Sequence, residues 1–535
     1  MDKLNWGTMA CAVFVLCVAT AMALSAQSFK TLHSFDGTDG ALPYAALVQA
    51  TDGNFYGTMP YGGANGQGTV FKITPTGTLT TLYSFCSLST CTDGAIPYGA
   101  LVQATDGNFY GPTYSGGGNN VCSGSGCGTI FKITPSGTLT TLYSFCVVGY
   151  SCPDGEAPQG GLVQAANGNF YGTTVEGGTD GDGTIFKITP SGTLTTLYSF
   201  CSQSGCTDGA FPYARLVQAT DGNFYGTTFG GGANSSCSPN GCGTIFKITP
   251  SGTLTTLHSF DSTDGAFPYA GLVQATDGNF YGSAEGGANG ACSPFGCGTV
   301  FKITPSGMLT TLHSFDGTDG ASPNALVQAA DGNFYSTTAS GGANNSCSGG
   351  CGTIFKITPS GTLTTLYSFC SQSGCTDGDV PFAGLVQATD GNLYGTTEDG
   401  GTRNYGTVFR LDVGLGPVVS LSPTSLNFGP QGVQAPNVPQ VVTLTNTGEM
   451  PLSITGIAVT GLNSGDFAQA NNCPIAPNTL APGDNCRITV YFFPVGSGTL
   501  AAAVTVTDNA PGSPQNVSLS GVGVSGKSGL AGPRR

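Results

Sequence analysis

Six residues, Asp52-Gly-Asn-Phe-Tyr-Gly57, recur along the chain with minor changes, their Asn falling at 54, 108, 169, 223, 279, 333 and 392. The spacings are 54, 61, 54, 56, 54 and 59 residues. A period of this size means one supersecondary unit repeated in tandem, each unit burying its apolar face on the next. Two further elements keep the same rhythm. Gly-Thr-Val/Ile-Phe-Lys/Arg-Ile/Leu begins at Gly68, Gly128, Gly183, Gly243, Gly298, Gly352 and Gly406, and Thr-Leu-Tyr/His-Ser-Phe ends at Phe35, Phe85, Phe145, Phe200, Phe260, Phe315 and Phe369.

Within one unit the alternation of short β-prone runs with Gly, Asn, Asp and Pro turns predicts four strands: Leu101–Ala104, Phe109–Tyr114, Thr129–Thr134 and Thr138–Phe145. The third element comes first in the chain and is missing after the last repeat. An N-terminal strand around Phe29–Phe35 is thereby expected to complete the unit begun at Leu385–Leu411, which joins the two ends of the array. The fold class expected is all-β, a seven-bladed β-propeller closed by an N-terminal strand and followed by a β-sandwich. A solenoid, the rival for any tandem array, needs atypical capping repeats and gains nothing from the offset.

Composition agrees. Gly supplies 86 of 535 residues and only 8% are charged, against ~25% in an ordinary domain, which disfavours a helix-rich fold. The net charge of −15 repels a polyanion, so nucleic acid is excluded as a partner. Much of that charge is turn aspartate (Asp52, Asp106, Asp221, Asp277, Asp331, Asp390), spread around the array.

The repeated Leu-Val-Gln-Ala-x-Asp-Gly-Asn-Phe-Tyr-Gly-Thr-Thr, Gly-Thr-Ile-Phe-Lys-Ile-Thr and Leu-Tyr-Ser-Phe elements, over about residues 28–412, resemble the GloVer tandem-repeat family of bacterial exported proteins. The resemblance implies a propeller-like region and an exported protein; it implies no particular activity. From Pro417 a different pattern begins, with Leu426-Asn-Phe-Gly429, Val441 to Gly448, Leu480-Ala-Pro-Gly483, Val490 to Pro494 and Val517–Gly523. About seven short strands suggest an immunoglobulin-like sandwich. This set resembles the ASH-type (ASPM, SPD-2, hydin) immunoglobulin-like domains, which implies a spacer or binding module.

Residues 1–26 carry Lys3, an apolar run from Met9 to Leu24 and small residues before Gln27, the features of a secretory signal peptide. The expected organisation is signal peptide 1–26, repeats 27–415, sandwich 416–524 and a disordered tail 525–535. No second apolar span follows, so the mature chain is expected to lack a transmembrane anchor and to be secreted, periplasmic or at the cell surface. The eighteen cysteines after the leader fall into close pairs: Cys86/Cys91, Cys122/Cys127, Cys146/Cys152, Cys201/Cys206, Cys237/Cys242, Cys292/Cys297, Cys347/Cys351, Cys370/Cys375 and Cys473/Cys486. In an oxidising compartment they are expected to be local disulfides that fix the shape of their loops; zinc is the competing reading, disfavoured by the presence of three His in all.

Chain parity puts the loop after the second strand and the loop into the next unit on one face, and all the repeat cysteines fall in those loops. Variable loops on a repeated scaffold are where binding resides. The loop into each innermost strand carries an acid and then an aromatic: Asp39 with Tyr44, Asp93 with Tyr98, Asp208 with Tyr213, Asp264 with Tyr269 and Asp377 with Phe382. Aromatic faces beside carboxylates suit sugars or cations; the alternative for the same residues is turn capping and packing between units. Gln159 and Asn324 replace the aromatic, and Glu156, Arg215 and Arg403 have no counterpart in the other units.

His33, His258 and His313 share one strand position and are read as packing residues, and Lys72, Lys132, Lys187, Lys247, Lys302, Lys356 and Arg410 as scaffold charges. No cofactor is expected; Thr179-Asp-Gly-Asp-Gly-Thr184 has the alternating acids of a calcium loop but not its closing acid. The function expected is that of a non-enzymatic exported protein binding a glycan, peptide or surface partner. The alternative is a carbohydrate-active hydrolase or lyase at the acidic channel mouth, although no catalytic pair can be named among Glu156, Glu176, Glu285 and Glu398.

Overall fold

The computed structural model describes residues 27–525 except 119–121, 123–125, 148–151, 235, 238, 288–291, 293–295, 345, 434–437 and 511. The expected signal peptide and residues 526–535 of the expected tail lie outside the described residues. Among the described residues the chain is all-β apart from short 3-10 turns, and no helix is long and apolar enough to cross a membrane.

The repeat region forms successive four-stranded antiparallel sheets. In the second, the strands are Val102–Gln103, Phe109–Thr113, Thr129–Ile133 and Leu139–Ser144. The innermost strand is shorter than the sequence predicts, two residues, flanked by buried Leu101 and by buried Ala104, whose N–H donates to the Asn108 carbonyl at 2.9 Å to close the turn. In the sixth repeat Ala321–Pro323 adds a short strand to Phe334–Ser340. The N-terminal strand Ser28–Ser34 pairs with Thr407–Asp412, so the last sheet contains both ends of the repeat region.

The recurring six residues explain how a sheet is held and how it meets the next. In the first copy Gly53 turns at φ +79° and the Asn54 N–H donates to Asp52 Oδ1 at 3.1 Å. Phe55 and Tyr56 are buried, yet the Tyr56 hydroxyl donates to Asp52 Oδ2 at 3.0 Å, and the Lys72 ammonium meets the same oxygen at 2.8 Å. The lysines thus act as scaffold charges: Lys132, Lys247, Lys302 and Lys356 pair with Asp106, Asp221, Asp277 and Asp331 at 2.8–2.9 Å. In the third repeat Asn167 stands in place of the acid. Glycine closes the motif in six of the seven copies, with Ser336 in the sixth repeat; at Gly226 a Cβ would lie 2.6 Å from Phe246 Cζ and 2.8 Å from Leu216 Cδ2.

Sheets meet face to face through two repeated contacts. Tyr56 stacks on Phe109, Tyr110 on Phe170, Tyr171 on Phe224, Tyr225 on Phe280 and Tyr281 on Phe334, with centroids 4.1–4.2 Å apart. The innermost Gln of each sheet accepts a backbone N–H from the turn of the sheet before it: Thr51 to Gln103, Thr105 to Gln164, Ala166 to Gln218, Thr220 to Gln274, Thr276 to Gln328 and Ala330 to Gln387. Both contacts also join the last sheet to the first, where Thr389 N donates to Gln49 Oε1 at 2.8 Å and Tyr394 lies 4.1 Å from Phe55.

The C-terminal Ig-like domain has two sheets: Val419–Ser422, Gln440–Asn446, Asn485–Phe492 and Phe467–Asn471 in one, Ser425–Gly432, Gln515–Val524, Gly498–Asp508 and Ile454–Thr460 in the other. That is eight strands where the sequence suggests about seven; the Ala-rich Gly498–Asp508 carries weak strand signal but is paired on both sides. Val442, Leu444, Ile488, Val490, Phe492, Val504, Val506 and Val517 form its core. It touches the repeats at the last turn, where Asn509 Nδ2 donates to the Thr389 carbonyl at 2.9 Å.

Two outcomes are expected. Gly226→Val overpacks the sheet and should destabilise the protein by ~1–3 kcal/mol in chemical denaturation. Desolvation raises the Asp52 carboxyl, but Lys72, Asn54 and Tyr56 outweigh it and hold the group at about 2; Asp106, Asp221, Asp277 and Asp331 are depressed in the same way. Carboxyls depressed below their unfolded value of ~3.9 contribute stability above that pH and lose it as the pH falls. Denaturation midpoints measured from pH 5 downward should therefore drop between about pH 4 and pH 2.

Candidate functional site

Before each innermost strand the backbone makes the same kink. Leu42, Ile96, Ala157, Phe211, Phe267, Ser322 and Val380 all sit in the left-handed region at φ 49–58° and each is followed by Pro. A non-Gly residue there costs ~1–2 kcal/mol. It is held by the neighbouring sheet: Ile96 N donates to the Gln67 carbonyl, Phe211 N to that of Asp182 and Phe267 N to that of Cys242, each at 2.9 Å. The kink turns the residue after the Pro away from its own sheet and toward those of the other repeats.

Tyr44, Tyr98, Gln159, Tyr213, Tyr269, Asn324 and Phe382, one from each repeat, consequently line one cavity of about 460 Å³. Tyr213 stacks on Tyr269 at 5.0 Å, Phe382 lies 4.8 Å from Tyr44, and Tyr44 lies 5.2 Å from Tyr98. Gln159 donates to the Tyr269 hydroxyl across the collar. Asn324 is buried and spends its amide on Thr337 Oγ1 and the Pro381 carbonyl, leaving a gap through which Tyr269 approaches Phe382 at 6.2 Å.

The collar separates two spaces. Beyond it, along the innermost strands, the 460 Å³ cavity is walled by Ala, Gly, Val and Leu together with Arg215 and Gln218. On the loop side a second cavity of about 500 Å³ adds Tyr114, Val175, Glu176, Phe229 and Glu285 to the collar. Glu285 and Glu398 hold the same repeat position and Glu176 the next one along. Burial, and after it Glu398, raises the Tyr44 hydroxyl; burial, and after it Glu176, raises that of Tyr114.

The five acids expected from sequence to share this mouth lie elsewhere. Asp93, Asp208 and Asp377 are buried, accepting from the hydroxyls of Tyr83, Tyr198 and Tyr367 at 2.7–2.8 Å and from the backbone of the disulfide loops. Asp39 and Asp264 pair with His33 and His258 at 2.7 Å, as Asp319 does with His313. These acids brace the inter-sheet loop because its length dictates a partner on the outermost strand. Where the loop carries a disulfide the partner is Tyr, ten residues before the acid in the Asp93, Asp208 and Asp377 loops; where the loop is short it is His, six residues before. The three His are therefore more than packing residues. The aromatics and Arg215 enter the cavities; Arg403 is exposed in the last loop. Glu176 and Glu285 went unassigned in sequence because they come from different repeats and line one cavity only through the arrangement of the sheets.

All nine expected disulfides form, but none of their cysteines lines either collar cavity, and their task is wider than shaping their own loops. Cys86–Cys91, Cys201–Cys206 and Cys370–Cys375 each close on a 3-10 turn, Ser89–Cys91, Ser204–Cys206 and Ser373–Cys375. The carbonyl at the end of each turn accepts twice at 2.9 Å, that of Cys91 from Gly94 N and Gly117 N, which ties the inter-sheet loop to the loop after the second strand. In Cys122–Cys127, Cys237–Cys242, Cys292–Cys297 and Cys347–Cys351 the second cysteine is buried, and its carbonyl holds the kink of the following repeat: Cys127 accepts from Ala157 N, Cys242 from Phe267 N, Cys297 from Ser322 N and Cys351 from Val380 N, at 2.9–3.1 Å. Cys473–Cys486 is not a loop clasp. Cys486 lies inside the strand Asn485–Phe492, opposite Leu444, and both cysteines belong to the core of the Ig-like domain.

Cys122–Cys127 and Cys146–Cys152 stand side by side, with Cys122 Sγ 3.4 Å from Cys146 Sγ and Glu156 adjoining, and Cys347–Cys351 stands near Cys370. These groups have the ligand types of a thiolate metal site, but sulfurs bonded to each other are no longer thiolates.

Burial pushes the Glu285 carboxyl up to about 7. Between its unfolded value of ~4.3 and about 7 the folded protein holds the extra proton, so this residue makes stability fall as the pH rises through that window. Glu285→Gln is expected to flatten the decline between pH 4.5 and 7 in urea titrations and to raise stability at pH 8; an unchanged profile would mean the carboxyl is solvated.

The Gloeobacter/Verrucomicrobia repeat family model matches residues 18–153, 122–295 and 238–424, and a HYDIN/CFA65/VesB-like Ig-like domain matches residues 417–522. No curated protein matches the chain. Among solved structures, a glycoside hydrolase family 43 arabinoxylan arabinofuranohydrolase from Bacillus subtilis is 11% identical over 88% of this chain and 97% of its own, with a TM-score of 0.32. A sucrose-6-phosphate hydrolase from Lactobacillus gasseri is 10% identical over 91% and 85%, at 0.31. The ASH/PapD-like domain of human CEP192 is 19% identical over 20% of this chain and 87% of its own, at 0.15. Scores this low carry no argument about function.

Proposed function

This chain belongs to the Gloeobacter/Verrucomicrobia repeat family, and from that premise we propose that it is a non-enzymatic exported binding protein whose repeats close into a seven-bladed β-propeller and whose loop face takes a glycan. Support for the ring comes from the contact between last and first sheets, which repeats the Gln clasp found between all successive sheets and brings Tyr394 to Phe55 as close as the ring pairs between the first six. Support for export comes from nine disulfides, which persist in oxidising compartments. We assign residues 27–415 to the propeller and 416–524 to a sandwich acting as spacer or docking module.

One observation carries the binding reading. Five aromatic side chains from five repeats, Tyr44, Tyr98, Tyr213, Tyr269 and Phe382, converge on one collar with Glu176 and Glu285 on its loop side. Flat rings stack on the apolar faces of sugars while carboxylates accept hydroxyl hydrogen bonds. The disulfides that pin the surrounding loops lower the ordering cost of binding. On a glycan array, the combined Tyr98→Ala and Tyr213→Ala change is expected to weaken binding by about tenfold or more, ~1.4 kcal/mol. Undiminished binding would place the site off the collar.

The second reading, a carbohydrate-active hydrolase or lyase, draws on Glu285. A carboxyl half-protonated near pH 7 is matched to general acid work at that pH. It requires polysaccharide turnover that Glu285→Gln abolishes; binding without turnover supports the non-enzymatic reading.

A further inference from the structure

We propose that the channel on the inner side of the collar is a site for a small organic anion presenting a carboxylate, with Arg215 as its anchor. Two residues after each collar side chain the repeats carry Ala46, Ala100, Gly161, Arg215, Gly271 and Gly384. In the sixth repeat that residue is deleted, and Ala325 runs directly into Leu326. All of these line the 460 Å³ cavity. Small residues at every other such position keep the channel open, and one long cation projects into the space they leave.

Among the described residues nothing in the channel neutralises it. No Asp or Glu lines this cavity; Glu176 and Glu285 lie across the collar in the other one. Among the described residues Arg215 has no hydrogen bond, ion pair or ring partner. The residue is solvent-accessible and lines the channel. The amides nearby are already engaged: Gln218 accepts from Ala166 N and donates to the Gly222 carbonyl, and Asn324 donates to Thr337 and Pro381. An arginine keeps its proton in proteins, so a permanent charge held among apolar walls is left with an open five-donor fork.

That fork matches the two oxygens of a carboxylate in bidentate geometry. The body of the ligand would sit against Leu216, Leu272, Leu326 and the collar rings, in a volume that suits a single sugar acid or an aromatic acid rather than a polymer. This site does not depend on the glycan reading, which concerns the opposite side of the collar, bears opposite charge and is tested on different residues.

The test uses the mature protein with glucuronate, benzoate, inorganic phosphate and neutral glucose as probes in isothermal titration calorimetry. Glucuronate or benzoate is expected to bind the wild type, glucose not to bind in the channel, and Arg215→Ala to weaken the carboxylate at least tenfold, with Arg215→Lys intermediate because it keeps the charge without the fork. Arg215→Ala installs the residue that two other repeats use at this position, so its melting temperature should equal or exceed the wild type; Arg215→Gln serves if it does not. Glucuronate above benzoate identifies a sugar acid and the reverse an apolar acid. Absence of binding by either carboxylate, binding that survives Arg215→Ala and Arg215→Gln, or binding of phosphate alone would overturn the proposal.

Discussion

The buried tyrosine of each repeat is the contact on which the rest depends. In the first sheet Tyr56 is 1% exposed, so its ring is part of the core, while its hydroxyl escapes to the Asp52–Lys72 pair at the edge. The same ring faces the next sheet and stacks on Phe109. One side chain thereby ties the turn to the third strand and one sheet to its neighbour. A phenylalanine would keep the stacking and leave the acid and lysine without their inner partner; a polar residue would lose the core. Repetition of that contact lets a chain with only 8% charged residues organise long-range packing, because each copy needs no more than its neighbour.

Regular spacing then creates the setting in which irregular residues acquire meaning. The left-handed kink before every innermost strand turns one side chain per repeat toward the others, so seven positions far apart in sequence become a single collar. Symmetry at those positions would give a closed apolar iris. Gln159 and Asn324 break it, and Arg215 places a charge where the other repeats have Ala, Gly or nothing. The two sides of the collar end with opposite character, acids toward the loops and a lone guanidinium toward the strands.

Much of this was legible in the chain, and the parts that were not share a cause. Strand order, the pairing of the N-terminal strand with the last repeat, the disulfide partners and the aromatic collar follow from period, turn chemistry and local spacing. The acids of the same loops were misplaced. Asp93 and Tyr98 are five residues apart, but the kink at Ile96 between them sends the two side chains in different directions, the acid back to Tyr83 and the ring into the cavity. That kink falls on Leu, Ile, Ala, Phe, Ser and Val rather than on Gly or Asn, so residue type gives no sign of it. The cysteines show the same division: spacing pairs Cys292 with Cys297, but the hold of the Cys297 carbonyl on the next kink is a contact between repeats.

The repeated unit, its number of copies and the cysteine pairs of the loops can be read from the chain alone, because they depend on residues within about sixty positions of one another and on local turn and strand preferences. Which side chains share a space is set by the packing of the sheets. Glu176 and Glu285 on one side of the collar, and Arg215 among small residues on the other, are brought together by contacts between whole sheets. Such contacts depend on backbone direction at each kink and on volume left by neighbours, neither of which a linear spacing encodes.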